Sequence, residues 1–177
     1  MFSKFALIAL SLVALSGQAE QSLQVTPLPR DGHVLVSFKL EQTLTEDLRK
    51  KIHSGLMVSF VYKVDLKRSS AAWLDRTIGS ALVTATVRYD NLTRKYHLSR
   101  MLDGASDHAE VTDKEDVAWA WVTTQFDRLP LFRGVRLESN GEYYVRVRAH
   151  TTPNNALFVW PWTGDDVVGF AKFTFIR

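Results

Sequence analysis

The sequence predicts a mainly β chain of the α+β kind, either an antiparallel β-sandwich or a sheet carrying two short helices on one side. Three observations predict it. Several segments alternate apolar and polar residues with the period of a half-buried strand. Between two of them lie short stretches with helical spacing, each preceded by a Thr/Glu start signal. Turn residues such as Asp90-Asn91 separate the rest, and there is no repeat, low-complexity tract or linker.

Taken in order, Thr26-Pro27-Leu28-Pro29 reads as a short extended lead. Val34 to Leu40 alternates, with Val34, Val36, Phe38 and Leu40 on one face. Thr43-Leu44-Thr45-Glu46 offers a capping box, Leu48 and Ile52 lie four apart, and Ser54-Gly55 supplies a stop, so a helix of about three turns at most is expected. Leu56 to Lys67 alternates most clearly, with Leu56, Val58, Phe60, Tyr62, Val64 and Leu66 forming the core face. Ser80 to Tyr89 alternates too and turns at Asp90-Asn91 into Lys95 to Arg100, a hairpin.

A polar stretch from Asp103 to Asp113 leads to a second capping box, Thr112-Asp113-Lys114-Glu115. After it, Val117, Ala118, Trp121, Val122, Gln125, Phe126 and Leu129 trace a helical stripe that Pro130 would stop. Glu142 to Thr151 is a further alternating strand. Val167 to Ile176, apolar on both faces, reads as a strand covered on both sides or an edge strand under a loop.

The run from Ser54-Gly55-Leu56-Met57-Val58-Ser59-Phe60 through Arg68, then Trp73-Leu74-Asp75-Arg76, then Val87 to Tyr96 resembles an uncharacterised family of exported bacterial proteins, domain of unknown function 4390. The shared pattern is a strand, a Trp-Asp connection, and a hairpin with Tyr, then Leu-Thr-Arg, then Tyr. It covers most of the chain and is strongest from Ser54 to Tyr96. The resemblance implies export and an accessory or regulatory role beside envelope sensor kinases.

The residues themselves also speak for export. Lys4, an apolar run from Phe5 to Leu15 and the small residues before Ala19 follow the order of a secretory signal, with cleavage expected after Ala19 and a retained anchor as the alternative. Residues 1–19 are therefore assigned to the signal and 20–177 to one β-rich domain, periplasmic in location. Loss of Lys4 lowers the formal net charge from +3 to +2. That near balance gives no reason to expect nucleic acid as a partner. The chain has no cysteine, so neither a disulfide framework nor a lipidated cysteine is available, and the core must hold the fold.

Catalytic signals are missing. There is no cysteine nucleophile and no Gly-x-Ser-x-Gly elbow. The five histidines, His33, His53, His97, His108 and His150, are dispersed without a His-x-x-x-His pair. The expectation is no enzyme, no catalytic residue, no metal and no cofactor. Asp165-Asp166 and the sequon-like Asn91-Leu92-Thr93 both read as turn chemistry.

Two groups of residues are candidates for binding. Lys63, Lys67, Arg88, Arg146 and Arg148 each point away from the apolar side of a strand, and on neighbouring strands they would form a cationic band. Such a band suits anionic lipid, cell-wall polymer or an acidic partner; with Asp65 and Glu142 interleaved, the ordinary and favoured reading is a solvated face. The second group is aromatic: Trp73 in a connection, Trp119 off the helical stripe, and Phe158, Trp160 and Trp162 around Pro161. These either contact a partner or cover the core, the last three as a seal over an open end of a sandwich. Trp121 lies on the stripe and is core.

The leading expectation is a non-enzymatic envelope protein that binds a protein partner, the sensory part of a membrane kinase being the partner the resemblance suggests. A carrier of lipid or another small hydrophobic ligand is the alternative and requires a wide apolar cavity. A hydrolase and a small outer-membrane barrel are weaker readings; two capped helices and the final Arg177 count against the barrel.

Overall fold

A computed structural model describes residues 22–30, 32–70, 75–153 and 167–176. Nine strands and two helices follow one another as β1 (Ser22–Arg30), β2 (His33–Glu41), α1 (Glu46–His53), β3 (Val58–Arg68), β4 (Arg76–Asp90), β5 (Lys95–Leu102), β6 (Ala105–Thr112), α2 (Glu115–Thr123), β7 (Phe126–Phe132), β8 (Glu142–Pro153) and β9 (Val167–Thr174). They form two antiparallel sheets, one of order β1-β2-β7 and one of order β6-β5-β4-β3-β8-β9. The small sheet packs on the inner face of the large one near β8 and β9, and α1 and α2 cover that face near β4 and β5. The arrangement is a β-sandwich, as the alternation predicts.

The core lies where the two inner faces meet. Val58, Phe60, Tyr62, Val64 and Leu66 of β3 are all buried, as are Val34, Val36, Phe38 and Leu40 of β2. Phe38 stacks on Phe126 at 4.4 Å between centroids and meets Tyr62 of the opposite sheet at 4.9 Å. The Tyr62 hydroxyl donates to the Val122 carbonyl, so the only polar atom of that side chain is satisfied inside the core.

α1 starts where expected, but its cap is Thr45, whose Oγ1 accepts from the Leu48 N–H at 3.4 Å. It ends at Gly55, whose φ of +81° is the left-handed conformation that glycine adopts without strain.

Three segments differ from the sequence expectation. The Pro-containing lead is a full strand: β1 pairs with β2 from Ser22↔Glu41 to Arg30↔His33. Pro27 and Pro29 lack an N–H, and they are tolerated because β1 is an edge. The polar stretch 105–112 is also an edge strand, β6; seven of its eight residues are exposed, so no apolar alternation marks it.

The third difference is α2: its N-cap is Lys114, with no side-chain cap in place of the expected capping box of residues 112–115, and its end also differs. The helix stops at Thr123, and Phe126 to Phe132 is a strand. Its inward residues Phe126, Leu129 and Phe132 are three apart, yet they pair with Phe38, Val36 and Val34, which are two apart. The additional β7 residue at each step is a bulge, and Arg128 takes φ 47° in one of them. A bulged strand therefore imitates the spacing of a helix face.

β9 is an edge strand crossed on its inner side by β1. At the crossing, a Cβ added to Gly169 would lie 2.1 Å from the Leu23 carbonyl oxygen, so only glycine lets the two backbones approach this closely.

Candidate functional site

The inner faces are filled with apolar side chains, so the chemistry-bearing residues lie on the outward face of the six-stranded sheet. Alternation turns Lys63, Asp65 and Lys67 of β3 outward, and the register sets each beside a residue of β8: Lys63↔Arg148, Asp65↔Arg146 and Lys67↔Tyr144. On the far side of β8 the partners are Val168, Phe170 and Lys172 of β9. On the far side of β3, Leu82 and Ser80 of β4 face Lys63 and Asp65. Two cross-strand rows result, Val168–Arg148–Lys63–Leu82 and Phe170–Arg146–Asp65–Ser80.

Asp65 is the centre of the group. It is 3 % exposed although its strand face is outward, because the arginines lean over it. Its Oδ2 accepts from Arg146 Nη2 at 3.0 Å and from Arg148 Nη2 at 3.3 Å, and its Oδ1 accepts from Ser80 Oγ at 2.7 Å. Burial pushes the carboxyl pKa up, but the Ser80 and Arg146 hydrogen bonds and the charges of Arg146 and Lys63 hold it below the ordinary carboxylate value.

One buried carboxylate thus orients two guanidinium groups whose side chains are still 32 % and 33 % exposed. The Nε atoms of both arginines are buried without a hydrogen-bond partner. With Lys63, Lys67 and Lys172 close by in the register, cations outnumber the carboxylate they surround. Asp75 lies at one end, accepting from Tyr144 Oη at 2.8 Å. Exposed apolar groups flank the cations on both sides: Phe170 (67 % exposed) and Val168 on β9, Leu82 on β4.

The structure therefore brings together Lys63, Lys67, Arg146 and Arg148 but not Arg88. Arg88 lies six residues beyond Leu82 along β4, which at the rise of a strand is about 20 Å away. It forms another outward row, with His97 of β5 and Val111 of β6.

Trp119 does not join the band either. It sits on the inner side of the sheet, edge-on to Phe60 at 5.6 Å, with its indole N–H donating to the Gln42 carbonyl at 3.1 Å. Trp121 is buried, with His108 stacked on it and Arg100 over its ring. Trp73, Phe158, Trp160 and Trp162 lie outside the described residues, as do residues 1–19, for which the sequence analysis expects a signal.

Sequence reasoning missed Phe170, Val168 and Lys172. Their signal was the small Gly169 between two large apolar residues, which assigns the odd-numbered positions of β9 to the inner, crossed face and the even ones to the outside.

Elsewhere, α1 and α2 meet at a cleft lined by Arg49, His53, Tyr96, Glu115 and Trp119. Arg49 Nε bonds Glu115 at 2.6 Å, and Tyr96 Oη lies 3.0 Å from His53 Nε2. The cleft has room for about one water. Among the described residues, no group of three or more His, Asp or Glu is placed to hold a metal ion, and no helix is long and apolar enough to cross a membrane.

A family model described as a domain of unknown function, DUF4390, matches residues 19–155. The matched span holds β1 to β8, and with them the Asp65, Arg146 and Arg148 group; β9 lies beyond it. Comparison with curated proteins and with solved structures gave no match.

Proposed function

The chain belongs to the DUF4390 family, and from that premise we propose that it is a non-enzymatic accessory module of the bacterial envelope, exported to the periplasm, which binds an acidic protein partner on the outward face of its six-stranded sheet. The observation that carries this reading is the Arg146–Asp65–Arg148 group. A buried carboxylate holds two guanidinium groups in place on side chains about one-third exposed, and a fixed fork of donors loses little entropy when it meets a carboxylate of another chain. Phe170 and Val168 beside it offer apolar contact area at the rim of the same surface.

The placement of the titratable side chains supports a binding role over a catalytic one. His53 is paired with Tyr96, His97 lies 3.9 Å from Asp90, and His108 is stacked on Trp121, at three separate places in the fold. Support for binding over carriage comes from the interior, where Phe38, Tyr62, Phe126 and Tyr143 fill the space that a hydrophobic ligand would need. The sensory part of a membrane kinase is the partner class the family resemblance suggests.

The test is photo-crosslinking in intact cells from a reactive residue placed at Phe170 or at Leu28, which is exposed on the small sheet. A discrete adduct from position 170 and none from 28 is expected. Equal adducts from both positions would remove the sheet face as the binding surface.

A further inference from the structure

Arg88 lies in a second group of exposed cations at the end of the sheet where β4 turns into β5. The turn Asn91-Leu92-Thr93-Arg94 is fixed from within. Asp90 Oδ1 accepts from the Leu92 N–H at 2.9 Å, Asp90 Oδ2 accepts from Thr93 Oγ1 at 2.9 Å, and Arg94 closes the turn with φ 55°. This rigid tip presents Leu92 at 94 % exposure, the most exposed of the large apolar side chains described. Arg94 is exposed on the turn, Lys95 at the start of β5 and Arg88 on the strand that enters the turn.

Two neighbours extend the patch. α1 ends against the tip, since a Cβ on Gly55 would lie 3.3 Å from Asn91 Nδ2, and its last turn carries the exposed Lys50 and Lys51. On the other side Arg88 pairs with His97 and His97 with Val111, which is 51 % exposed. The acids of this end are Asp90, engaged in the turn, Asp113, which follows the Thr112↔Tyr96 pair, and Glu115, paired with Arg49 at the cleft beside Tyr96. On the tip itself Arg88, Arg94 and Lys95 outnumber Asp90 and leave it cationic.

We infer that this tip docks on an anionic lipid surface, with Leu92 entering the headgroup layer and Arg88, Arg94, Lys95, Lys50 and Lys51 facing the phosphates. The shape selects the occupant. The tip ends in one projecting apolar side chain with exposed cations on the turn and on the strands it joins, which suits a fluid anionic interface that deforms around it; a folded partner would need a matching pocket. The inference is independent of the sheet-face reading, because about 20 Å of β4 separates Arg88 from Lys63. Together they place the domain on a membrane with its partner surface still open.

The experiment is co-sedimentation of the full chain with phosphatidylcholine vesicles and with vesicles containing phosphatidylglycerol, read as the ratio of the two affinities. The apolar N-terminal run, with Lys4, is common to wild type and variants, so the comparison among variants isolates the tip. Wild type is expected to prefer the anionic vesicles and to lose that preference as salt rises. Arg94→Gln with Lys95→Gln is expected to lower anionic binding about 30-fold, since each cation near the surface contributes about 1 kcal/mol. Leu92→Ser is expected to lower it about tenfold, whereas Lys63→Gln with Arg148→Gln leaves it unchanged. All these side chains are at least partly exposed, and circular dichroism verifies the fold of each variant. Wild type without anionic preference, tip variants that bind like wild type, or loss confined to the Lys63/Arg148 variant would overturn the inference.

Discussion

Asp65 and Arg146 face each other across β3 and β8 and are joined at 3.0 Å, with the Asp65 side chain 5 % exposed and the Arg146 side chain 32 % exposed. The buried partner is thus the anion and the accessible one the cation. The pair shapes a surface as much as it stabilises a fold.

Replacing Asp65 with Asn keeps the size of the side chain and removes the charge that holds Arg146 and Arg148 together. Charge-assisted hydrogen bonds are lost and two like charges remain side by side, so unfolding free energy is expected to drop by about 2 kcal/mol. Denaturant titration of both proteins measures it, with the slope unchanged.

The pH dependence follows from the same carboxyl. Its folded pKa is depressed, so the stability it contributes is present above the unfolded value, near 4, and is lost as pH falls through the folded value. The stability gap between wild type and Asp65→Asn is expected to be constant at neutral pH and to shrink below about pH 4. A gap that widened on acidification would show that Asp65 is destabilised by its surroundings.

Gly169→Ala sets a methyl group against the Leu23 carbonyl, where 2.1 Å is available. β1 must move off β9, at a cost of about 1–3 kcal/mol. Thermal unfolding of the variant checks this; an unchanged midpoint would mean that β1 does not cross β9 at this point.

Tyr62→Phe removes the hydroxyl that satisfies the Val122 carbonyl in the core. Burial pushes the pKa of this hydroxyl far up, so it is a donor at every working pH. A loss of about 1–2 kcal/mol is expected, because the carbonyl is left buried and unpaired.

The central strands were legible in the sequence because each has one buried and one solvated face. β3, β4 and β8 show alternation, and their inward residues from Val58 to Leu66, Ala81 to Val87 and Tyr143 to Ala149 are buried as read; Leu56, read with the core face, lies before β3 and is half-buried. The segments that misled have lost that asymmetry. β6 is exposed on both faces, β1 carries prolines that an edge accepts, and β7 has two bulges that convert a period of two into a period of three. Local pattern reports the environment of a face, and edges and bulges change the environment without changing the strand.

The same reasoning explains the site. Alternation turned Lys63, Arg146 and Arg148 to one side, but only the register shows that they are neighbours and that Arg88 is not. Asp65 read as one more solvated acid; its burial arises from arginines on another strand, which no local pattern encodes.

The most direct test of the partner-binding surface is affinity capture from crosslinked envelopes with wild type, a Lys63→Glu, Phe170→Ser variant and Trp119→Ala, each shown to be folded. The expected result is a protein captured by wild type and by Trp119→Ala and lost from the sheet-face variant. Capture of the same protein by the sheet-face variant, at wild-type yield, would contradict the account.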